Sequence, residues 1–187
     1  MASGSRRGKA VSLPKVIPFN GESPQFDETV FIDPSARLIG AVILGPEVSI
    51  WPFALLRADS NRIVVGERSV ILDKVLIESP KDHPVVIERN VLVSHGAILH
   101  GYVVREGALI GIGAIVLDGA DVGRRSIVGA GSLVPPGMKI PDDSLTLGIP
   151  AKVVKMLSEA DQKRTEEQLG EAYGKSRKYL KVFAKER

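Results

Sequence analysis

A branched aliphatic residue recurs every six positions through most of the chain, with a small residue four places after it. The aliphatic series runs Ile32, Leu38, Leu44, Ile50, Leu56, resumes at Val65, Ile71, Ile77, again at Ile87, Val93, Leu99, and continues from Val104 to Ile140. The partner positions hold Ala36, Val42, Val48, Ala54, Ser60, Ser69 and Val75, and later Ala97, Val103, Ala108, Ala114, Ala120, Ser126 and Ser132. A period of six matches neither the 3.6 of a helix nor the alternation of a simple hairpin. It predicts short strands that turn at every hexapeptide and bury their apolar sides only by stacking, in a solenoid with three faces.

The pattern therefore predicts an all-β fold, a parallel β-helix of hexapeptide repeats over residues 17–154, followed by a C-terminal α-helix. Two interruptions, Arg62 to Val64 and His83 to Val86, both fall between the second and third faces, so two loops are expected at one corner. Residues 1–16 are polar and rich in Gly, Ser and Arg, and read as a flexible tail. Within residues 155–187, Ser158 opens a charged helix whose apolar stripe, Leu169, Tyr173, Leu180 and Phe183, is expected to pack on the solenoid.

Equivalent residues of adjacent coils in such a stack lie about 4.8 Å apart. With the insertions subtracted, Arg57, Glu78 and His100 form one outward column beside the loop corner, and Asp73 and His95 stack on the preceding face. A carboxylate and an imidazole stacked in this way can converge on one cation at the usual 2.0 to 2.2 Å bond length. His95 lies five residues before His100 and on a different face, so it would more easily complete the site of a neighbouring chain. A cyclic trimer would hold three such sites at its interfaces. Outward apolar residues Trp51, Leu72 and Ile112 on the His95 face want cover, which a neighbouring chain would give. Arg57 and Asp59 read as an ion pair that orients ligands and binds an anionic product, Asp73 as a partner of a histidine, and His83 as a loop residue able to approach the column. The same residues also fit a solvated histidine pair with surface ion pairs.

Composition narrows the chemistry. The 187 residues suffice for one sizeable core and contain no cysteine, which removes disulfides and thiolate sites and leaves His, Asp and Glu to hold any metal. The 25 Lys and Arg are spread among 22 Asp and Glu, so no nucleic-acid partner is expected. No apolar stretch reaches the roughly 20 residues of a membrane span, and the first residues lead into no secretory signal. A cytoplasmic protein without a membrane partner is the expectation.

The motifs Ser49-Ile-Trp-Pro, Leu56-Arg-Ala-Asp59, Ser94-His-Gly-Ala-Ile-Leu-His-Gly101, Gly111-Ile-Gly-Ala114, Leu117-Asp-Gly-Ala120 and Gly148-Ile-Pro-Ala-Lys152 resemble the gamma-class carbonic anhydrases of the hexapeptide-repeat superfamily, from about Ile17 to Leu157. That resemblance implies a left-handed coil, a homotrimer, and a zinc ion (alternatively iron or cobalt) between subunits. It implies two histidine ligands from one chain and one from the next, and a lyase activity that hydrates carbon dioxide to bicarbonate. His95 and His100 match two of the family's ligands; the third position is Glu78, in Asp73-Lys-Val-Leu-Ile-Glu78, while Leu72 and Val70 stand where the family often has Gln and Asn. A His-His-Glu set is legitimate for zinc or ferrous iron. Two further readings stay open: an acyltransferase using coenzyme A with a histidine base, and a catalytically silent trimeric scaffold or binding protein.

Overall fold

The structure, a computed structural model, describes residues 16–185, with side chains through Val182. The expected N-terminal tail, apart from Val16, and the side chain of Phe183 lie outside the described residues.

The chain winds as a left-handed parallel β-helix. Strands Phe31–Ile32, Ser49–Ile50, Val70–Ile71, Leu92–Val93, Leu109–Ile110 and Ile127–Val128 stack as the first face. Leu76–Glu78, Ile98–His100, Ile115–Val116 and Leu133–Val134 belong to the second, and Val85–Ile87, Val103–Val104, Asp121–Val122 and Lys139–Ile140 to the third. The second and third faces form one sheet because Arg37–Leu44 and Leu55–Val65 run unbroken around their shared corner.

Each strand is too short to close a hydrogen-bond ladder of its own, so its N–H groups donate to the next coil, as Leu92 does to Ala108 (3.1 Å) and Ile98 to Ala114 (2.9 Å). Inside, large aliphatics such as Leu38, Ile50, Leu56, Ile77, Leu99 and Ile110 are fully buried against Ala36, Ala54, Ala97 and Ala114. Each large side chain contributes about 1.5 to 3 kcal/mol by leaving water. Interior serines are tolerated where the backbone satisfies them: Ser69 Oγ donates to the Glu88 carbonyl (2.8 Å) and accepts from Val91 N–H (3.0 Å). Ser60 and Val103, counted as interior by the six-residue spacing, are not buried, because the insertion between Ala58 and Ile63 carries Ser60 out to solvent and Val103 occupies an outward strand position.

One coil is short. Ile110 pairs with Val128, eighteen residues on, but Leu99 pairs with Val116 and Ile87 with Val104, each one residue fewer. The missing residue falls between His100 and Val103, at the loop corner. Gly101 turns there with a φ of +58°, and a Cβ on it would stand 2.7 Å from the Cβ of His83 and 2.9 Å from Cγ of Pro80, so the tight corner requires glycine.

The helix Glu159–Lys185, here α1, lies along the first face. Leu169, Ala172 and Tyr173 pack on Val70, Leu72, Leu92 and Leu109, with Trp51 and Ile127 at the margin. Tyr179 stacks on Phe31 (6.0 Å between centroids) and meets Trp51 edge-on (5.7 Å), and Arg177 Nη1 donates to the Thr29 carbonyl (2.5 Å). The cover expected for Trp51 and Leu72 therefore comes from the chain's own helix; Ile112 keeps 59% of its surface exposed. Both ends of the solenoid are closed by short pairings, Val16–Ile17 beside Leu38 and Ile39, and Ser144–Gly148 antiparallel to Ala151–Met156. Among the described residues no helix is long and apolar enough to cross a membrane.

Candidate metal centre

The ladder pairs Arg57 with Glu78 and Glu78 with His100, so the three stand in one outward column on the second face. Arg57 is held twice: Nη1 donates to Asp59 Oδ2 (2.8 Å) and Nη2 meets Glu78 Oε2 (2.5 Å). The hydrogen bond from Arg57 holds the Asp59 carboxyl below its ordinary range, and Asp59, before Glu78, raises the guanidinium in turn. The second Glu78 oxygen, Oε1, lies 3.8 Å from Nε2 of His100.

The other ring nitrogen of His100, Nδ1, is in a short hydrogen bond with Asp118 Oδ1. An ionised carboxylate offers only lone pairs, so in the neutral ring the proton sits on Nδ1 and the lone pair of Nε2 faces Glu78. His95 is arranged in the same way: its Nδ1 lies 2.9 Å from Asp73 Oδ2, and half of its side chain is exposed. The structure thus joins Arg57, Asp59, Glu78 and His100 at one end of the second face, and Asp73 with His95 at the corner that opens that face. Among the described residues of one chain, no three His, Asp or Glu side chains form a group able to hold a metal ion.

His83 is exposed in the loop above Gly101 and Gly119, with its Cε1 3.7 Å from where a Cβ of Gly119 would lie. That loop is tied to the other insertion, since Asn61 Nδ2 donates to the Lys81 carbonyl (2.7 Å). Both insertions do share one corner.

Register arithmetic did not reach Asp118, because the expected column ends at His100, although Asp118 lies eighteen residues further on. The signal was present in the sequence as one more eighteen-residue step of the column, from His100 to Asp118. It also missed that α1 brings Gln168, Glu171 and Lys175 to a cavity of about 290 Å³ bordered by His95, Trp51 and Leu72.

The donor set fits a metal. Two ligands on a tetrahedral ion with bonds of 2.0 to 2.1 Å stand roughly 3.3 Å apart, close to the 3.8 Å between Glu78 Oε1 and His100 Nε2. Both histidines have the carboxylate-held Nδ1 that orients ligating imidazoles. Because Arg57 holds Oε2, only Oε1 of Glu78 is available.

No family model matches the chain. It is 41% identical to a carbonic anhydrase of Geobacillus kaustophilus over 92% of this chain and 94% of that protein. The chain belongs to the gamma-class carbonic anhydrase-like hexapeptide-repeat family. Other members and neighbours of this family carry other names: the carnitine operon protein CaiE of Escherichia coli is 39% identical over 75% of this chain and 72% of that one. A solved structure of a putative acetyltransferase from Bacillus cereus superposes with a TM-score of 0.88 at 34% identity, covering 89% of this chain and 97% of that one. Membership of the carbonic anhydrase-like family thus accounts for the solenoid, while proteins similar to the chain carry names of different activities.

Proposed function

We propose that the protein is a gamma-class carbonic anhydrase-like metalloenzyme that hydrates carbon dioxide reversibly to bicarbonate, in the cytoplasm, as a homotrimer. His100 and Glu78 of one chain and His95 of the next would hold the ion, zinc or alternatively iron or cobalt. The observation that carries this reading is the matched pair of histidines, each with Nδ1 engaged by an aspartate, and with Nε2 of His100 facing Glu78.

When bound, the ion supplies Lewis acidity that brings the pKa of a water toward neutrality. Asp118 and Asp73 fix the tautomers and orientations of the two rings. Asp59 anchors Arg57, whose guanidinium steadies Glu78 and offers positive charge to the bicarbonate product. Glu78 brings a negative charge where a third histidine would be neutral, which lowers the acidifying power of the site and so its activity near neutral pH. His83 and its loop border the site and supply a substitute imidazole within the same corner.

The test is metal content per chain by elemental analysis of protein purified with and without oxygen, with a His100→Ala control, followed by stopped-flow hydration. About one ion per chain, lost in the control, supports the proposal; no ion even after reconstitution retires it and leaves a silent trimeric scaffold. An acyltransferase is the second reading, favoured by the Bacillus cereus structural neighbour, with the His100 and Asp118 pair as base. Coenzyme A binding, and acyl transfer that persists in chelator, would select it.

A further inference from the structure

On the side of α1 away from His95, a cavity of about 330 Å³ opens between the helix and the corner joining the third and first faces. Its floor is apolar, made by Leu92, Ala108 and Leu169. Its walls carry three guanidiniums, Arg68 from one coil and Arg124 and Arg125 from the coil three further on. Two of them are fixed before any ligand arrives. Arg125 is clamped by Asp143 through Nε and Nη2 (2.7 Å each), and Arg68 lies over the Tyr173 ring, 4.8 Å from its centroid. Arg124 makes no side-chain hydrogen bond or ion pair among the described residues. Of the two glutamates at the rim, Glu106 is tied to Arg89 (2.8 Å), and Glu166 is exposed on the helix.

Space for an occupant is kept by Gly170 on α1. A glycine inside a helix costs about 1 kcal/mol relative to alanine, yet neither backbone nor packing demands it here: its φ is not left-handed, and a Cβ on it would meet nothing within 4 Å. On the solenoid side, Gly107 widens the same space, turning the corner with a φ of +72° below Arg125.

We infer that this cavity binds a small organic anion, a carboxylate on a compact apolar body. The carboxylate would face the guanidiniums and the body would cover Leu92, Ala108 and Leu169. The inference stands on the cavity alone and needs no metal, so it holds or fails separately from the proposed activity.

The experiment is calorimetric titration of the full chain with benzoate, its neutral isostere benzamide, and inorganic phosphate. Expected are saturable benzoate binding at one per chain, at least tenfold weaker binding of benzamide, and weakening as salt is raised. Gly170→Leu fills the cavity while favouring the helix, so it should abolish binding with the α1 signal in far-UV circular dichroism intact. Arg124→Ser should weaken benzoate about tenfold. Absence of saturable benzoate binding, or unchanged binding in Gly170→Leu, overturns the inference; binding of phosphate without benzoate overturns it in favour of a bare-anion site.

Discussion

Asp118, eighteen residues beyond His100, takes the Nδ1 hydrogen bond of its ring, which leaves Nε2 turned toward Glu78. The carboxylate thereby sets both the tautomer and the direction of the imidazole. Removing such a partner usually costs 10-fold to 100-fold in metal affinity. Asp118→Asn is expected to bind zinc about that much more weakly in competition with a chromophoric chelator, with its β-helix spectrum unchanged. Equal affinity would show that the ring orients itself.

Glu78 decides how acidic the site is. Glu78→His should raise the stopped-flow hydration rate of metal-loaded protein at neutral pH, since a neutral ligand leaves more positive charge to act on water. An unchanged rate would mean that Glu78 is not a ligand.

The division of ligands between chains can be tested without a structure of the assembly. His95→Ala and His100→Ala should each lose the ion, yet equal amounts unfolded and refolded together should regain it at about one quarter of the sites, where a chain with His95 adjoins a chain with His100. Failure to regain any metal, with trimers shown to have mixed, would mean that both histidines of a site come from the same chain.

Legibility in the sequence differed sharply between residues. The column of Arg57, Glu78 and His100 could be read because strands in a solenoid keep strict register, so subtracting insertions recovers neighbours in space. Asp118 lies one further eighteen-residue step from His100, but an aspartate on an outward turn looks like any other until its side chain is seen against the ring. The cover over Trp51 and Leu72 was ambiguous for a different reason: outward apolar positions demand burial but do not say whether a helix of the same chain or another chain supplies it. In this protein α1 does so.

Leu72 therefore tests intramolecular docking. Its side chain is 8% exposed beneath α1, and Leu72→Ala should lower unfolding stability by about 2 to 4 kcal/mol in urea. If α1 is what covers it, that loss does not vary with protein concentration; a concentration-dependent loss would assign the burial to an interface between chains.

Acid should loosen the start of α1. Asp161 accepts from Lys155 Nζ (2.7 Å), Ser158 Oγ (2.9 Å) and Ser158 N–H (3.1 Å), which holds its carboxyl down to about 2. A depressed carboxylate stabilises the fold above its unfolded value, near 3.8, and loses that contribution as pH falls toward 2. The thermal midpoint should thus fall across pH 4 to 2 less steeply in Asp161→Asn than in the parent chain. Equal slopes in the two proteins would discount the cap.

The corner shared by the second and third faces absorbs three kinds of length change: the bulge between Ala58 and Ile63, the His83 loop tied to it by Asn61, and the single deletion beside Gly101. None of them disturbs the interior ladder, whose strands stay paired above and below. The corner is consequently a seam where length can be edited, because the strands on either side return to register after each change. Chemistry carried on the stacked faces, such as the column of Arg57, Glu78 and His100, is thereby insulated from every change of length in the loops beside it.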